Sequence, residues 1–191
     1  MLYLAYGSNL LPARLQARIP SARLMGTCRI PGRRLEFRLC GSDGSAKCDI
    51  PAEPGGCAYG ALYRLDDFGW ARLDDIEGLG VSYSRLAVPV EDCPIACRAE
   101  AYIGLDGKVD GGLRPYGWYR RLVMAGARFH GFPREYLSRI EDLEPDEDPD
   151  RSRAARNLSV LRRQAGHGMV DRYREDAAGH GRKDAAWETE D

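Results

Sequence analysis

Residues 2–6, Leu-Tyr-Leu-Ala-Tyr, form an unbroken apolar and aromatic run, which predicts a buried strand. The run breaks at Gly7-Ser8-Asn9. Leu10, Leu11, Arg14, Leu15 and Arg18 then recur at spacings of three and four, which predicts a helix with Pro12 in its first turn. Partial alternation around Leu35, Phe37 and Leu39 predicts a strand within 28–40, whereas 41–47 reads as loop and 51–56 as turn. The run 57–65 predicts a strand whose Gly60 marks a bend or a close backbone approach. Residues 66–80 predict a short helix, capped by Asp66 or Asp67 and ended by Gly78 or Gly80. Two further strands, 81–90 and 95–104, are joined by Glu-Asp-Cys-Pro as a hairpin. Helical spacing returns over 118–131, with Trp118, Leu122, Ala125 and Phe129 on one face. It resumes over 132–145 after a break at Gly131, with Tyr136, Leu137, Ile140 and Leu143 as its stripe.

Strands clustered in 2–104 and followed by two helices favour an α+β fold. The character changes after Asp146. Residues 151–166 suggest a short amphipathic helix carrying Leu158 and Leu161, and the charged, glycine-containing remainder reads as largely disordered. The expected organisation is one domain over 1–146 and a charged tail over 147–191, partly helical or disordered. Its apolar stripe is too short to add much to the core.

The 191 residues carry a net charge of −1, which gives no electrostatic footprint for nucleic acid. No apolar run approaches the roughly 18 residues of a membrane span, so no membrane partner is expected. Strand residues begin at Leu2 without a basic, cleavable leader, so the start is expected to be complete and the location cytoplasmic. The six cysteines, Cys28, Cys40, Cys48, Cys57, Cys93 and Cys97, form no C-x-x-C pair. With His130 isolated they lack zinc-ligand spacing, so reduced thiols and no metal are expected.

Two features carry candidate chemistry. Strand, glycine turn and helix start together present backbone N–H groups that can hold an anion or a developing oxyanion. The same stretch also reads as an ordinary capped turn. Glu77 is four residues from Leu73 and seven from Trp70, on the apolar side of its helix and at the C-terminal end. Burial and the helix dipole both oppose its charge there and raise its pKa, as a proton shuttle near neutral pH requires. An exposed helix-end glutamate before a capping glycine is the competing reading. Asp74 and Asp75 face more polar directions and are expected to be solvated.

The segments LYLAYGSNL with ARL at 13–15, YGALYRL at 59–65, LDDIEG at 73–78 and YRRLVMAGARFHGFPREYLSRI occur in order over residues 2–146. In this combination the chain resembles the γ-glutamylcyclotransferase family, also described as AIG2-like. The resemblance implies a small, closed or nearly closed mixed β-barrel with surrounding helices. It implies a lyase-class intramolecular acyl transfer: the α-amine of a γ-glutamyl group attacks its own γ-carbonyl, releasing 5-oxoproline and a free amine. It implies a small-molecule γ-glutamyl substrate and no cofactor. The family's catalytic glutamate corresponds to Glu77. Its substrate-binding segment corresponds to Tyr3, Leu4, Ala5, Tyr6, Gly7 and Ser8, and its late-helix tyrosine to Tyr136. Tyr83 stands where it could orient the carboxylate.

The chain departs from branches of the superfamily that act on glutathione, which read YGSL with a nearby tryptophan, by having Asn9 and no such tryptophan. It also departs from the YGT-L-K pattern of the γ-glutamylamine branch. Asp49 in CDIP stands where many relatives have Asn or Thr, so an altered pocket charge is expected. The leaving group is open among an amino acid, a small amine and a larger amine. The alternatives to an enzyme are a non-catalytic carboxylate-binding relative and an interaction module working through the basic helix 151–163.

Overall fold

The computed structural model of the chain describes residues 1–93 and 95–166. β1 (Leu2–Ala5) lies at the centre of a five-stranded mixed sheet. It pairs antiparallel with β5 (Ala52–Arg64) and parallel with β7 (Arg98–Gly104). β2 (Arg23–Arg33) and β6 (Tyr83–Pro89) form the edges, giving the order β2-β5-β1-β7-β6. Tyr3, Leu4 and Ala5 are all buried although they alternate in direction, because a central strand is covered on both faces. β3 (Glu36–Cys40) and β4 (Ala46–Asp49) make a separate antiparallel ribbon.

The fold is α+β with a mixed sheet and surrounding helices, as expected, and among the described residues the sheet does not close into a full barrel. Among the described residues, β2 and the segment just beyond β6 are joined by one isolated bridge, where Arg29 and Glu91 exchange backbone hydrogen bonds of 2.9 Å in both directions.

A single 3₁₀ turn (Ser8–Leu10) leads from β1 into α1 (Pro12–Arg18). α2 (Asp67–Glu77) follows β5, and α3 (Gly117–Phe129) and α4 (Arg134–Glu141) follow the sheet. α3 presses on the 3₁₀ turn at Gly126, where a Cβ would come within 2.5 Å of Leu10 Cβ and 2.7 Å of Leu11 N. That approach seals Leu10 and Leu11 in the core, each worth roughly 1.5–3 kcal/mol of burial. The turn beyond β1 is thereby clamped from behind.

Several predicted boundaries move. β2 begins at Arg23, ahead of the predicted strand, and β4 occupies what reads as loop. β5 continues back through the predicted turn at 51–56, with Gly55 at φ +77°. The buried arc of α3 is Trp118, Tyr119, Leu122, Val123, Gly126 and Ala127, so it is wider than the predicted stripe and shifted to include Tyr119.

The largest difference lies beyond Pro149. α5 (Arg151–Gly166) packs against α1 and α3. Val160 is buried in the core, and Leu158 and Leu161 pack against it. Gln164 Oε1 accepts the Ala13 amide at 3.0 Å, which satisfies a donor in the first turn of α1. The expectation that this stretch adds little to the core is corrected over α5. The expectation of disorder from 167 onward lies outside the described residues. Among the described residues no helix is long and apolar enough to cross a membrane.

Candidate active site

A cavity of about 550 Å³ opens where the Gly7–Asn9 turn, α1, the end of α2 and α3 converge. Tyr3, Tyr6, Gly7, Ser8 and Asn9 line one side, and Arg14 and Arg18 reach it from successive turns of α1. Glu77, Tyr83, Cys48 and Tyr119 complete the inner wall.

The local sequence of α2 dictates where Glu77 goes. Asp66 caps the helix, accepting the Gly69 amide at 2.7 Å. Gly78 ends it in the left-handed conformation, φ +66°, with the Leu79 amide returning to the Asp74 carbonyl. Leu73 is fully buried, and Trp70 meets Tyr3 edge-on with ring centroids 6.1 Å apart. The face bearing Trp70 and Leu73 therefore delivers Glu77 into the cavity, with 18% of its side chain exposed.

Glu77 Oε1 accepts from Asn9 Nδ2 at 3.0 Å and lies 3.5 Å from a guanidinium nitrogen of Arg18. The same Arg18 nitrogen donates to Asn9 Oδ1 at 3.0 Å, and Asn9 Nδ2 also donates to the Tyr3 hydroxyl at 3.0 Å. Both ends of the Asn9 amide are thus engaged, which fixes its orientation. Burial raises the pKa of Glu77 above the ordinary carboxylate range, against the lowering effects of Arg18, Asn9 and Arg14. Such a group can both accept and return a proton near neutral pH.

Gly7 does not have a positive φ; it has φ −102°. Its value lies in space. A Cβ would come within 3.1 Å of Cys48 Cβ and 3.2 Å of the Tyr119 hydroxyl. That hydroxyl accepts the Cys48 amide at 3.1 Å, and Tyr83 donates to the Cys48 carbonyl at 3.1 Å. β4, which supplies Cys48, is therefore pinned between two tyrosines. Burial pushes the Cys48 thiol up to about 12, so it remains a thiol at neutral pH. In the 3₁₀ turn the Leu10 amide is the first to return to a carbonyl, that of Gly7, so the amides of Ser8 and Asn9 precede the internal bonding.

The outer wall is charged but internally paired. Lys47 Nζ lies 2.7 and 2.8 Å from the two Asp43 oxygens and 5.0 Å from the Tyr119 ring centroid. Burial lowers its pKa, against the opposing effect of Asp43. Arg153 of α5 grips Asp148, which also accepts from Trp118 Nε1 at 2.7 Å. Arg153 and Asn157 bring α5 to the cavity itself.

Of the predicted site residues, the structure brings Tyr3, Tyr6, Gly7, Ser8 and Glu77 together. Leu4 and Ala5 are fully buried in the core and carry the segment without lining the cavity. Tyr136 is not in this cavity: it packs with Tyr59 and Phe132 and borders a separate cleft with Arg34 and Arg139. The tyrosine of this region that lines the cavity with Glu77 is Tyr119, in the first turn of α3. Tyr83 reaches the cavity, but its hydroxyl goes to Cys48 and not to Glu77. Asp49 lies behind the cavity wall and does not line it, although its charge helps raise the pKa values of Tyr6, Cys48 and Tyr83, which do. It is fully buried, salt-bridged to Arg38 at 2.9 Å, and accepts the Gly104 amide. Asp74, expected in solvent, binds Arg85 at 3.0 Å through both oxygens and the Tyr102 hydroxyl at 2.6 Å. Among the described residues no cluster of His, Cys, Asp and Glu is arranged to hold a metal ion.

Comparison with known proteins gives this arrangement a context. The model of the AIG2-like family matches residues 58–140, a span that includes Glu77 and Tyr119. A γ-glutamylcyclotransferase from Mus musculus is 30% identical over 156 residues, covering 76% of this chain and 80% of the mouse protein. The chain belongs to the γ-glutamylcyclotransferase family. The Homo sapiens γ-glutamylcyclotransferase is 28% identical over 157 residues, with the same coverage of both chains. A solved γ-glutamyl cyclotransferase structure superposes with a TM-score of 0.71 at 21% identity, covering 83% of this chain and 98% of that one. The γ-glutamylcyclotransferase fold therefore accounts for nearly all of that structure, and for this chain's sheet and helices.

Proposed function

We propose that this protein cyclises the γ-glutamyl group of a small amine or amino acid conjugate, releasing 5-oxoproline and the free amine, with Glu77 as general base and then general acid. The observation that carries the reading is Glu77 itself. It is a cavity carboxylate with a raised pKa, held by Asn9 and Arg18 opposite the Gly7–Ser8 turn.

In this reading Glu77 takes a proton from the α-ammonium. The freed nitrogen attacks the γ-carbonyl carbon and closes a five-membered ring. The carbonyl oxygen gains negative charge, and the amides at the start of the 3₁₀ turn stabilise it. Glu77 returns its proton to the leaving nitrogen as the old amide bond breaks, then takes the second proton from the ring nitrogen and passes it to the released amine. The Tyr119 hydroxyl hydrogen-bonds the glutamyl moiety. Bond making and breaking balance without a cofactor, since one amide replaces another.

The test is 5-oxoproline release from a panel of γ-glutamyl amino acids and amines, run beside their α-glutamyl isomers. Turnover should be confined to the γ-linked compounds, because the α-isomer's amine cannot close the same ring. Equal turnover of both isomers removes the mechanism.

A further inference from the structure

Arg14 is the one cationic side chain of the cavity wall among the described residues with neither a hydrogen bond nor an ion pair. It stands one helical turn before Arg18, so both leave the same face of α1. Arg18 is engaged by Asn9 and Glu77. Lys47 is held by both oxygens of Asp43, and Arg153 by Asp148. Arg14 Nε, by contrast, is buried without an acceptor. A guanidinium keeps its charge at neutral pH and offers five donors, so burying it unpaired is costly unless an anion arrives. Burial, then Arg18, pulls its pKa down to about 10, and an incoming anion would reverse that shift.

The chemistry of the substrate says which anion. In a γ-glutamyl group the α-ammonium and the α-carboxylate share one carbon. If the amine is to give its proton to Glu77, the carboxylate lies two bonds away from the donor nitrogen. The cation that meets it must stand near both Glu77 and the glutamyl-binding hydroxyl. Arg14 lines the same cavity as both Glu77 and Tyr119. A guanidinium fork suits a carboxylate bidentately.

We propose that Arg14 anchors the α-carboxylate of the γ-glutamyl group and makes the enzyme select substrates that carry it. The inference rests on the cyclisation reading above. It leaves the turn amides of Ser8 and Asn9 for the γ-carbonyl oxygen, and so divides two roles that one loop would otherwise share.

Two conjugates of one amine test it: the γ-glutamyl form and the 4-aminobutyryl form, which lacks only the α-carboxylate and closes to 2-pyrrolidinone. The parent should prefer the γ-glutamyl conjugate by about 10²-fold or more in kcat/KM. Arg14→Gln should lose roughly that factor on the γ-glutamyl conjugate, mostly through KM, and change by less than about threefold on the other. Arg14→Lys, the milder change if the Gln variant does not fold, should lose an intermediate factor on the γ-glutamyl conjugate alone. Binding is read separately, by calorimetric titration with 5-oxoprolinate and with 2-pyrrolidinone. Only the former should bind the parent tightly, and only its binding should weaken in the Arg14 variants. Equal losses on both conjugates, or 5-oxoprolinate binding indifferent to Arg14, overturn the proposal. So does a loss seen with γ-glutamyl-alanine but not γ-glutamyl-ethylamine, which would assign Arg14 to the leaving group. Absence of turnover together with Arg14-dependent 5-oxoprolinate binding would instead sink the cyclisation reading and keep the anchor.

Discussion

Asn9 and Glu77, 68 residues apart in sequence, are joined by a 3.0 Å hydrogen bond from the amide Nδ2 to the carboxylate Oε1. A donor on the charged form lowers a carboxylate's pKa, so Asn9 moderates the upward push of burial. Asn9→Ala should therefore raise the pKa of Glu77 further. The base must be ionised to act, so the acidic limb of the pH–rate profile should move to higher pH. Loss of positioning should lower kcat by about 10²-fold at neutral pH. The pH profile of 5-oxoproline release, parent beside variant, checks both effects.

Glu77→Gln preserves shape but cannot carry a proton, and the rate should fall by about 10²–10⁴-fold. Stability should move the other way. A carboxyl whose pKa is raised on folding favours the folded state when protonated, and that contribution is lost as pH rises through the folded value. The Gln variant should thus gain Tm relative to the parent as pH rises from the acid side to neutral. Paired thermal melts across that range check the sign. A variant that turns over within about threefold of the parent would falsify the assignment of the base.

Tyr119→Phe removes the acceptor of the Cys48 amide, a bond of 3.1 Å. A buried donor left unsatisfied costs roughly 1–3 kcal/mol, which denaturant titration would show. Turnover should fall by roughly 10²-fold if the hydroxyl also serves the transition state. Tyr136→Phe alters a residue of the separate cleft bordered by Tyr59 and Arg139, and kcat/KM should stay within about twofold.

Truncation after Pro149 removes Val160 from the core and takes Gln164 from the Ala13 amide. It also leaves Asp148 without Arg153. The buried Val and the half-buried Leu158 and Leu161 should together cost about 3 kcal/mol or more. The truncated chain should melt at lower temperature. It should also lose activity, because Arg153 and Asn157 leave the cavity wall.

The legible parts of the molecule are those where neighbours in sequence are neighbours in space. The strand, turn and helix at the start follow from an apolar run, a glycine and a three-four spacing. α2 follows from Asp66, Leu73 and Gly78, and these suffice to bring Glu77 to an apolar face. Gly60 reads as a close approach, and a Cβ there would collide with Leu4 Cδ1 and come within 3.0 Å of the Ala5 carbonyl oxygen. What escapes is whatever depends on distant partners. The first half of β4 reads as loop in a polar stretch, yet Asp43 pairs Lys47 and Arg38 pairs Asp49 within the ribbon. Tyr119 and Tyr136 both lie in the late helical region, and the packing of α3 on the 3₁₀ turn, with Gly126 against Leu10, places the former on the cavity wall. α5 carries too short an apolar stripe to be read as core, because part of its attachment is polar: Arg153 to Asp148 and Gln164 to the Ala13 amide.

The bridge between Arg29 and Glu91 has a consequence for how the protein behaves in a crowd. An exposed sheet edge is a template on which a second chain can add a strand, and the sheet's two edges, β2 and β6, are the places where this would begin. At the bridge the two edge regions satisfy each other with two 2.9 Å bonds, so neither offers its groups there to a stranger. Pro31 in β2 and Pro89 in β6 have no amide proton to donate beside it. The sheet is thus defended against intermolecular strand addition by its own curvature, and loosening the bridge would expose a sticky seam before it unfolded the core.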